Sequence, residues 1–575
     1  MEKESNIDNI RHSLAHLLAM AVVEEDPKAK LAIGPAIENG FYYDFELSKP
    51  LGIEDLPKLE KKIKHYIKQN LEFKQLKDTE LKDQPYKDEL IKELKEKGET
   101  LSFYQSGDFV DLCSGPHIKS TNEIDPKAFK LTKVAGAYWK GDEKNTMLTR
   151  IYGVAFESKE ELDEYLKMQE EAEKRDHRKL GKELGLFTFS DLVGSGLPMF
   201  TPKGTILRKE LFNRLSNISK KYGVEQVEIP HIAKRKLYEI SGHADKFGDE
   251  LLKVVGHYDE FVMKPVNCPH HTQIYDSRPR SYRDLPIRFM ESTMMYRDEK
   301  PGEISGLTRV RAITVDDGHI FCTVDQIKDE AKNVAHIIEE FYNSVGMYEN
   351  YWVSLSVRDG DNLDKYIGEE KDWDKAESML QELSDELKLD AKRVEGEAAI
   401  YGPKLDFVFK DAIGREWQLA TIQIDFSMPK RFELTYTDKD GKEHTPAMIH
   451  RAILGSYERF MAIMIEHFAG AFPLWLSPVQ VKVLPIADAH KEYAEEVYSK
   501  LKENDIRVEL DESNETLGKK IRQGKLEKIP YLLVLGDKES QDKKVTVEGR
   551  KDYKDTMSVD ELVEKLEKEI KEKTL

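Results

Sequence analysis

The sequence predicts a multidomain chain built from α+β and α/β modules, and three observations carry that prediction. Its 575 residues exceed one ordinary domain and suggest about four units at roughly 150 residues each. Between about residues 185 and 475, β-branched and aromatic runs alternate with amphipathic segments, the pattern of a large mixed domain around a substantially antiparallel sheet. After LSPVQ, strands and helices alternate at the short spacing of a compact α/β domain of roughly a hundred residues. The expected modules are 1–156, a helical linker 157–184, 185–476 and 477–575.

In order along the chain, the first module mixes short helices with strand-like GFYYDFEL and AGAYWKGD. The charged stretch from Glu157 to Glu183 reads as one long solvated helix, with Leu162, Leu166 and Met168 spaced among charges. The middle module supplies FTFSDLVGSG, QVEIPHI, YDEFVMKPVN, DFVFKD and WQLATIQIDFSM as strand-like runs. The last module reads strand VQVKVLPI, helix, strand IRVELD, helix, strands IPYLLVLGD and KKVTVEG, and a closing helix VDELVEKLEKEIKE.

Composition narrows the function classes. With 89 Lys and Arg against 108 Asp and Glu, the net charge of −19 disfavours a general polyanion coat, so any nucleic acid must meet local basic patches. Cys113, Cys268 and Cys322 are odd in number and far apart, which argues for a reducing compartment, with cytosol expected. The leading MEKESNIDNIRHSLAH lacks a signal peptide's basic start and apolar core, and Phe460 to Leu476 is too short and too interrupted to span a bilayer.

Several segments carry chemistry. Cys268, His319 and His450 lie beside strand-like sequence, and one thiolate with two imidazoles suits a catalytic Zn²⁺ that keeps one position open; each alone is equally a packed core residue. FMESTMMYRDEKPGEISGLTRVRAITVDDGHIFC reads as two strands joined by a loop, with Arg297 before the loop and Arg309 and Arg311 after it. Such a hairpin can aim guanidinium forks at phosphate or be a salt-bridged surface feature. Thr421, Gln423 and Asp425 share one strand face by the two-residue period, a face that can meet a ribose or solvent. Ser456 is placed to cap a helix whose first turn holds Arg459, an arginine that opposes the helix dipole. In the first module His12 and His16, four apart on a helix, and Cys113 with His117 in the turn-like CSGPH form a further Cys/His₃ set.

Together MKPVNCP, GLTRVR, DDGHIFC, YGPK, DFSMP and MIHRAILGSYERF closely resemble the threonyl-tRNA synthetases, a class II aminoacyl-tRNA synthetase family, over nearly the whole chain. The resemblance implies an editing module, a class II catalytic domain with an antiparallel sheet, and a C-terminal anticodon-binding domain. It implies that Cys268, His319 and His450 bind Zn²⁺, which takes the amino and hydroxyl groups of threonine, that Asp317 accepts that hydroxyl, and that Tyr401 lies near the amino acid. Arg297 would hold the α-phosphate and carboxylate, Glu299 would read adenine, and Arg309 and Arg459 would grip the ATP tail, with Mg²⁺ assisting. Lys404, Gln418, Thr421, Gln423 and Ser456 would complete the pocket, and Gln418 has the wrong parity to join Thr421 unless the strand bulges. Pro230 resembles the first-motif proline of a dimer interface, so a homodimer is expected.

In the first module the resemblance assigns His12, His16, Cys113 and His117, with Asp111 as a further candidate, to hydrolysis of mischarged seryl-tRNA, without requiring a metal. Serine keeps the hydroxyl and lacks one methyl, a difference worth roughly 1–3 kcal/mol, so a second sieve is expected. Asn514 and Glu539 stand at anticodon-reading positions. Departures are expected too. The chain resembles a form without the small preceding domain, and the short segment before Cys113 leaves out a lysine often counted in the editing site. Ile313 and Val315 replace an aromatic residue and a glutamine, and His270 replaces a glycine. The expected activity is ligation of L-threonine to tRNA(Thr) with ATP. The rival is a non-catalytic RNA-binding or regulatory protein on the same fold.

Overall fold

The computed structural model describes residues 6–77, 79 and 81–575, so the first five residues of the leading segment lie outside the described residues. The chain divides into two compact units, Met1–Glu171 and Ala172–Leu575.

In the first unit the helix Asn6–Glu25 buries Leu14, Leu17, Leu18 and Ala21, and its apolar face packs on a core that includes Phe41, Tyr43, Phe45 and Ile151. Those residues come from a sheet whose long strands, Gly40–Glu46, Met147–Ala155 and Phe129–Tyr138, pair antiparallel. A second small sheet joins Phe73–Leu76, Phe103–Ser106 and Phe109–Leu112. The region read as one linker helix is two helices, Lys159–Arg175 and His177–Glu183. Asp176 separates them because its carboxylate caps the second, accepting from Arg178 N, with backbone angles (φ −47°, ψ 120°) that no helix interior tolerates.

The second unit is built on an eight-stranded sheet. Its strands are β1 (Glu225–Gln226), β2 (Ile287–Tyr296), β3 (Ala312–Cys322), β4 (Tyr351–Val357), β5 (Lys392–Glu395), β6 (Lys404–Lys410), β7 (Glu416–Asp425) and β8 (Ala447–Ala452). They lie in the order β1-β2-β3-β8-β7-β6-β4-β5. The two outermost pairs are parallel and every pair between them is antiparallel. One face is covered by the helices Ile327–Ser344 and Tyr457–His467, whose Ile338, Phe341, Phe460 and Ile463 join Ile422 and Ile424 in the core. The other face is left for the site. Two expected strands shrink: FTFSDLVGSG keeps Phe187–Thr188 and QVEIPHI keeps Glu225–Gln226 and Ile232–Ala233. Pro230 between them has no N–H to extend a ladder and lies exposed.

The C-terminal module has the strands Val508–Leu510, Val481–Pro485, Tyr531–Leu535, Lys544–Gly549 and Lys554–Ser558 in that order. The last of these, KDTMS, is too polar to read as a strand from its sequence, and it pairs antiparallel at the sheet edge. This module falls in the same compact unit as the eight-stranded sheet. Arg507 ties them, pairing with Glu210 (2.9 Å) and donating to Trp475 O (2.7 Å).

Candidate active site and metal centre

His319 on β3 and His450 on β8 are direct cross-strand partners, so both imidazoles leave the same face of the sheet. Cys268 opens the helix Cys268–Asp276. Donor atoms of the three residues lie within 4.8 Å of one another and all three are buried. His450 Nε2 meets Asp425 Oδ2 at 2.9 Å and His319 Nδ1 meets His271 Nδ1 at 2.7 Å, which leaves His450 Nδ1 and His319 Nε2 for a cation. Burial, reinforced by the nearby Asp317 charge, pushes the Cys268 thiol well up. Burial, with His271 and His450 beside it, holds His319 neutral far below the usual imidazole range. Three soft or borderline donors, two oriented by a second group, fit a tetrahedral Zn²⁺ with one position free. Asp425 and His271 were not assigned from the sequence as orienting groups; their signal is the hydrogen bond each makes to a ligand ring.

Beside this cluster, Tyr401 stacks on His450 with ring centroids 4.4 Å apart and its hydroxyl donates to Gln423 Oε1 at 2.7 Å. Asp317 accepts from Asn267 Nδ2 (3.0 Å), its side chain keeping 23 % of its surface open. Desolvation raises its carboxyl.

A cavity of about 450 Å³ runs from Asp317 past Arg297, Glu299 and Ser456 to Arg309 and Arg459. The last two residues also line a second cavity of about 590 Å³, with Lys404, Gln418, Thr421 and Gln423. The bulge that Gln418 requires is present. Ala420 pairs with Phe407 while Gln418 pairs with the next residue, Val408, and Leu419 and Ala420 are buried in succession. That one-residue phase shift brings Gln418 to the face of Thr421 and Gln423. Ser456 caps the helix Tyr457–His467, accepting from Arg459 N, and Arg459 Nε donates to Thr308 O at 3.0 Å. Arg309 Nε donates to Glu299 at 2.8 Å, so these two expected ATP contacts pair with each other. Ile313 and Val315 line the first cavity, as their hairpin positions require.

The first unit has its own pocket of about 520 Å³, lined by His12, His16, Tyr43, Lys87, Asp111 and Cys113. Cys113 Sγ contacts His12 Nε2 at 3.0 Å and His117 Nε2 at 3.2 Å. His16 packs edge-on against His117 (ring centroids 5.3 Å) and Phe109 (4.9 Å), its buried Nε2 without a hydrogen-bond partner. Burial lowers His16 to about 4 and raises Cys113 to about 11. The structure also corrects the expectation of a missing lysine. Lys87, on the helix Pro85–Glu96 and 3 % exposed, places Nζ 2.8 Å from Asp111 Oδ1, and Tyr43 donates to the other oxygen at 2.5 Å. Lys87 lies on an earlier helix than the segment just before Cys113, so that segment's length could not reveal it.

In the C-terminal module Asn514 is exposed on a loop. Glu539 is engaged locally: its carboxylate accepts from Gly536 N (2.9 Å) and Thr546 Oγ1 (2.7 Å).

Residues 253–468 match the family model of the tRNA synthetase class II core domain (G, H, P, S and T). Residues 480–569 match the anticodon binding domain, and 101–152 the threonyl and alanyl tRNA synthetase second additional domain. A threonine–tRNA ligase of Gloeobacter violaceus is 49 % identical over 99 % of this chain and 93 % of its own length. The chain belongs to the threonine–tRNA ligase family. Another member, from Porphyromonas gingivalis, is 48 % identical over 97 % of this chain and 87 % of its own. The solved RNA binding domain of threonyl-tRNA synthetase from Cryptosporidium parvum Iowa II superposes with a TM-score of 0.66 at 36 % identity, covering 68 % of this chain and 98 % of that one. Within the threonine–tRNA ligases, then, the sheet face that carries His319 and His450 is the class II core.

Proposed function

We propose that this chain activates L-threonine with ATP to threonyl-adenylate and transfers the threonyl group to the 3′ end of tRNA(Thr). The observation that carries the reading is the burial of Cys268, His319 and His450 in one donor cluster, with the arginine-lined cavity beginning at the neighbouring Asp317. Bound there, Zn²⁺ supplies a Lewis acid for the threonine amine and hydroxyl. Asp317 accepts the hydroxyl proton, and Tyr401, held by Gln423, closes the side of the amino-acid pocket. Arg297 holds the threonine carboxylate against the ATP α-phosphate, so that attack is in line and the developing charge is neutralised as pyrophosphate leaves. Glu299 takes the adenine, Arg309 and Arg459 the phosphate tail with Mg²⁺, and Lys404, Gln418, Thr421, Gln423 and Ser456 line the rest of the nucleotide and substrate pocket.

A site that reads the hydroxyl rejects valine by roughly 10⁴–10⁵. Threonine-dependent ATP–pyrophosphate exchange, with metal content measured on the same sample, should therefore show strong exchange with threonine, some with serine and little with valine, at about one zinc per chain. No exchange from a folded, zinc-loaded sample would favour the non-catalytic reading.

The first unit hydrolyses seryl-tRNA in the same proposal. His12, His16, Cys113 and His117 are assigned to the ester, and Lys87 with Asp111 lines the same pocket as His12, His16 and Cys113. A His12→Ala, His16→Ala double variant should keep threonine charging within a few-fold and let seryl-tRNA accumulate. Unchanged hydrolysis of preformed seryl-tRNA would remove both histidines from the role. Asn514 and Glu539 are assigned to the anticodon. A homodimer with Pro230 at its interface and a cytoplasmic location complete the reading. The three free cysteines support the location; no helix among the described residues is long and apolar enough to cross a membrane.

A further inference from the structure

His177 begins the helix His177–Glu183, is 4 % exposed and lines neither catalytic cavity. Its Nδ1 meets Glu466 Oε1 at 2.6 Å, and its backbone N–H donates to the same oxygen at 3.0 Å. Its Nε2 meets the backbone nitrogen of Leu307 at 3.0 Å. An amide N–H can only donate, so Nε2 is the acceptor and the ring proton lies on Nδ1, facing the carboxylate. Both ring nitrogens are therefore used. The grouping of Asp176, His177 and Glu466, though compact enough for a cation, offers it no imidazole nitrogen. Glu466 is itself held from the other side by Arg415, which pairs with Asp411 at 2.7 Å.

Leu307 lies in the loop between β2 and β3, and that loop closes directly on the imidazole. Gly306 has φ +49°, and a Cβ there would stand 2.3 Å from His177 Nε2, so no side chain fits. The next two residues face the nucleotide cavities: Thr308 O receives Arg459 Nε and Arg309 pairs with Glu299. A single ring thus fixes the backbone immediately before both arginine contacts.

We propose that His177, oriented by Glu466, is a positioning residue that anchors the Gly306–Leu307 backbone and so sets Arg309 and Arg459 for the ATP phosphates. The proposal rests on the assignment of those arginines to nucleotide.

The test compares wild type with His177→Ala, His177→Gln and His177→Asn in threonine-dependent exchange, together with amide hydrogen exchange across residues 300–311. A glutamine oxygen reaches the position of Nε2, whereas asparagine reaches only that of Nδ1. His177→Ala should raise KM for ATP about 10-fold and speed hydrogen exchange at Leu307, with zinc content and KM for threonine unchanged. His177→Gln should recover most of the ATP affinity and His177→Asn little. Equal losses in the glutamine and asparagine variants, or an unchanged KM for ATP in folded His177→Ala, would overturn the anchoring role. If alanine does not fold, the glutamine–asparagine contrast decides alone. If wild type shows no exchange reaction, the assigned activity fails, while protection of Leu307 still reports whether His177 holds the loop.

Discussion

A Cys268→Ala variant is expected to fold, to lose its zinc and to lose threonine-dependent exchange by roughly 10³-fold, the scale on which losing a Lewis acid is felt. The thiol is one of three donors on a cluster that begins a helix and packs beside Tyr275, Phe289 and Phe321. Removing one sulfur leaves that apolar neighbourhood nearly intact. Two imidazoles cannot replace a thiolate for a tetrahedral cation. Because burial pushes this thiol up, a cation must expel its proton, so wild-type zinc affinity should fall as pH falls. Metal analysis and circular dichroism on the same sample check the result. Global unfolding would instead mark the metal as structural.

The second large effect is expected at Arg297. Its guanidinium lies 4.9 Å over the Phe247 ring, its Nε is buried without a hydrogen-bond partner, and burial lowers its pKa from the ordinary value. A half-buried guanidinium whose Nε has no partner and whose Nη2 makes only a long 3.5 Å bond to Pro265 O, on a cavity wall, is placed to take an anionic ligand. Arg297→Ala should lower exchange by roughly 10²–10³, the loss typical of one transition-state donor, while zinc content and the melting midpoint hold or the midpoint rises. Arg297→Lys should recover little, since an ammonium cannot make a two-point fork. Exchange near the wild-type rate in either variant would take Arg297 out of the reaction.

The sequence was most informative where chemistry constrains residue type. Cys268, His319 and His450 stand 51 and 131 positions apart, yet each is a donor type that few side chains can replace at a metal, and β3 and β8 bring the two histidines opposite each other. The polar face of Thr421 and Gln423 was legible from the two-residue period, and the misfit of Gln418 foretold the bulge at Leu419. Contacts that depend on folding were not legible. Lys87 reaches Asp111 from a different element, and no local pattern announces that pairing. The break at Asp176 was hidden because the helical charge pattern continues across it. The KDTMS strand is specified by its partner Lys544–Gly549 rather than by its own propensity.

The ion pair between Arg309 and Glu299 has a thermodynamic consequence. With Arg309 assigned to phosphate and Glu299 to adenine, ATP entry is an exchange of partners rather than a simple gain of contacts. A whole nucleotide replaces both halves of the broken pair. A fragment offering only pyrophosphate draws Arg309 away and leaves the buried Glu299 carboxylate uncompensated, whereas Arg309 itself is exposed and keeps Glu303 at 2.8 Å. With these assignments the pair weakens a ligand that takes Arg309 without satisfying Glu299 more than it weakens the whole nucleotide, so part of the selectivity comes from what the empty pocket already holds.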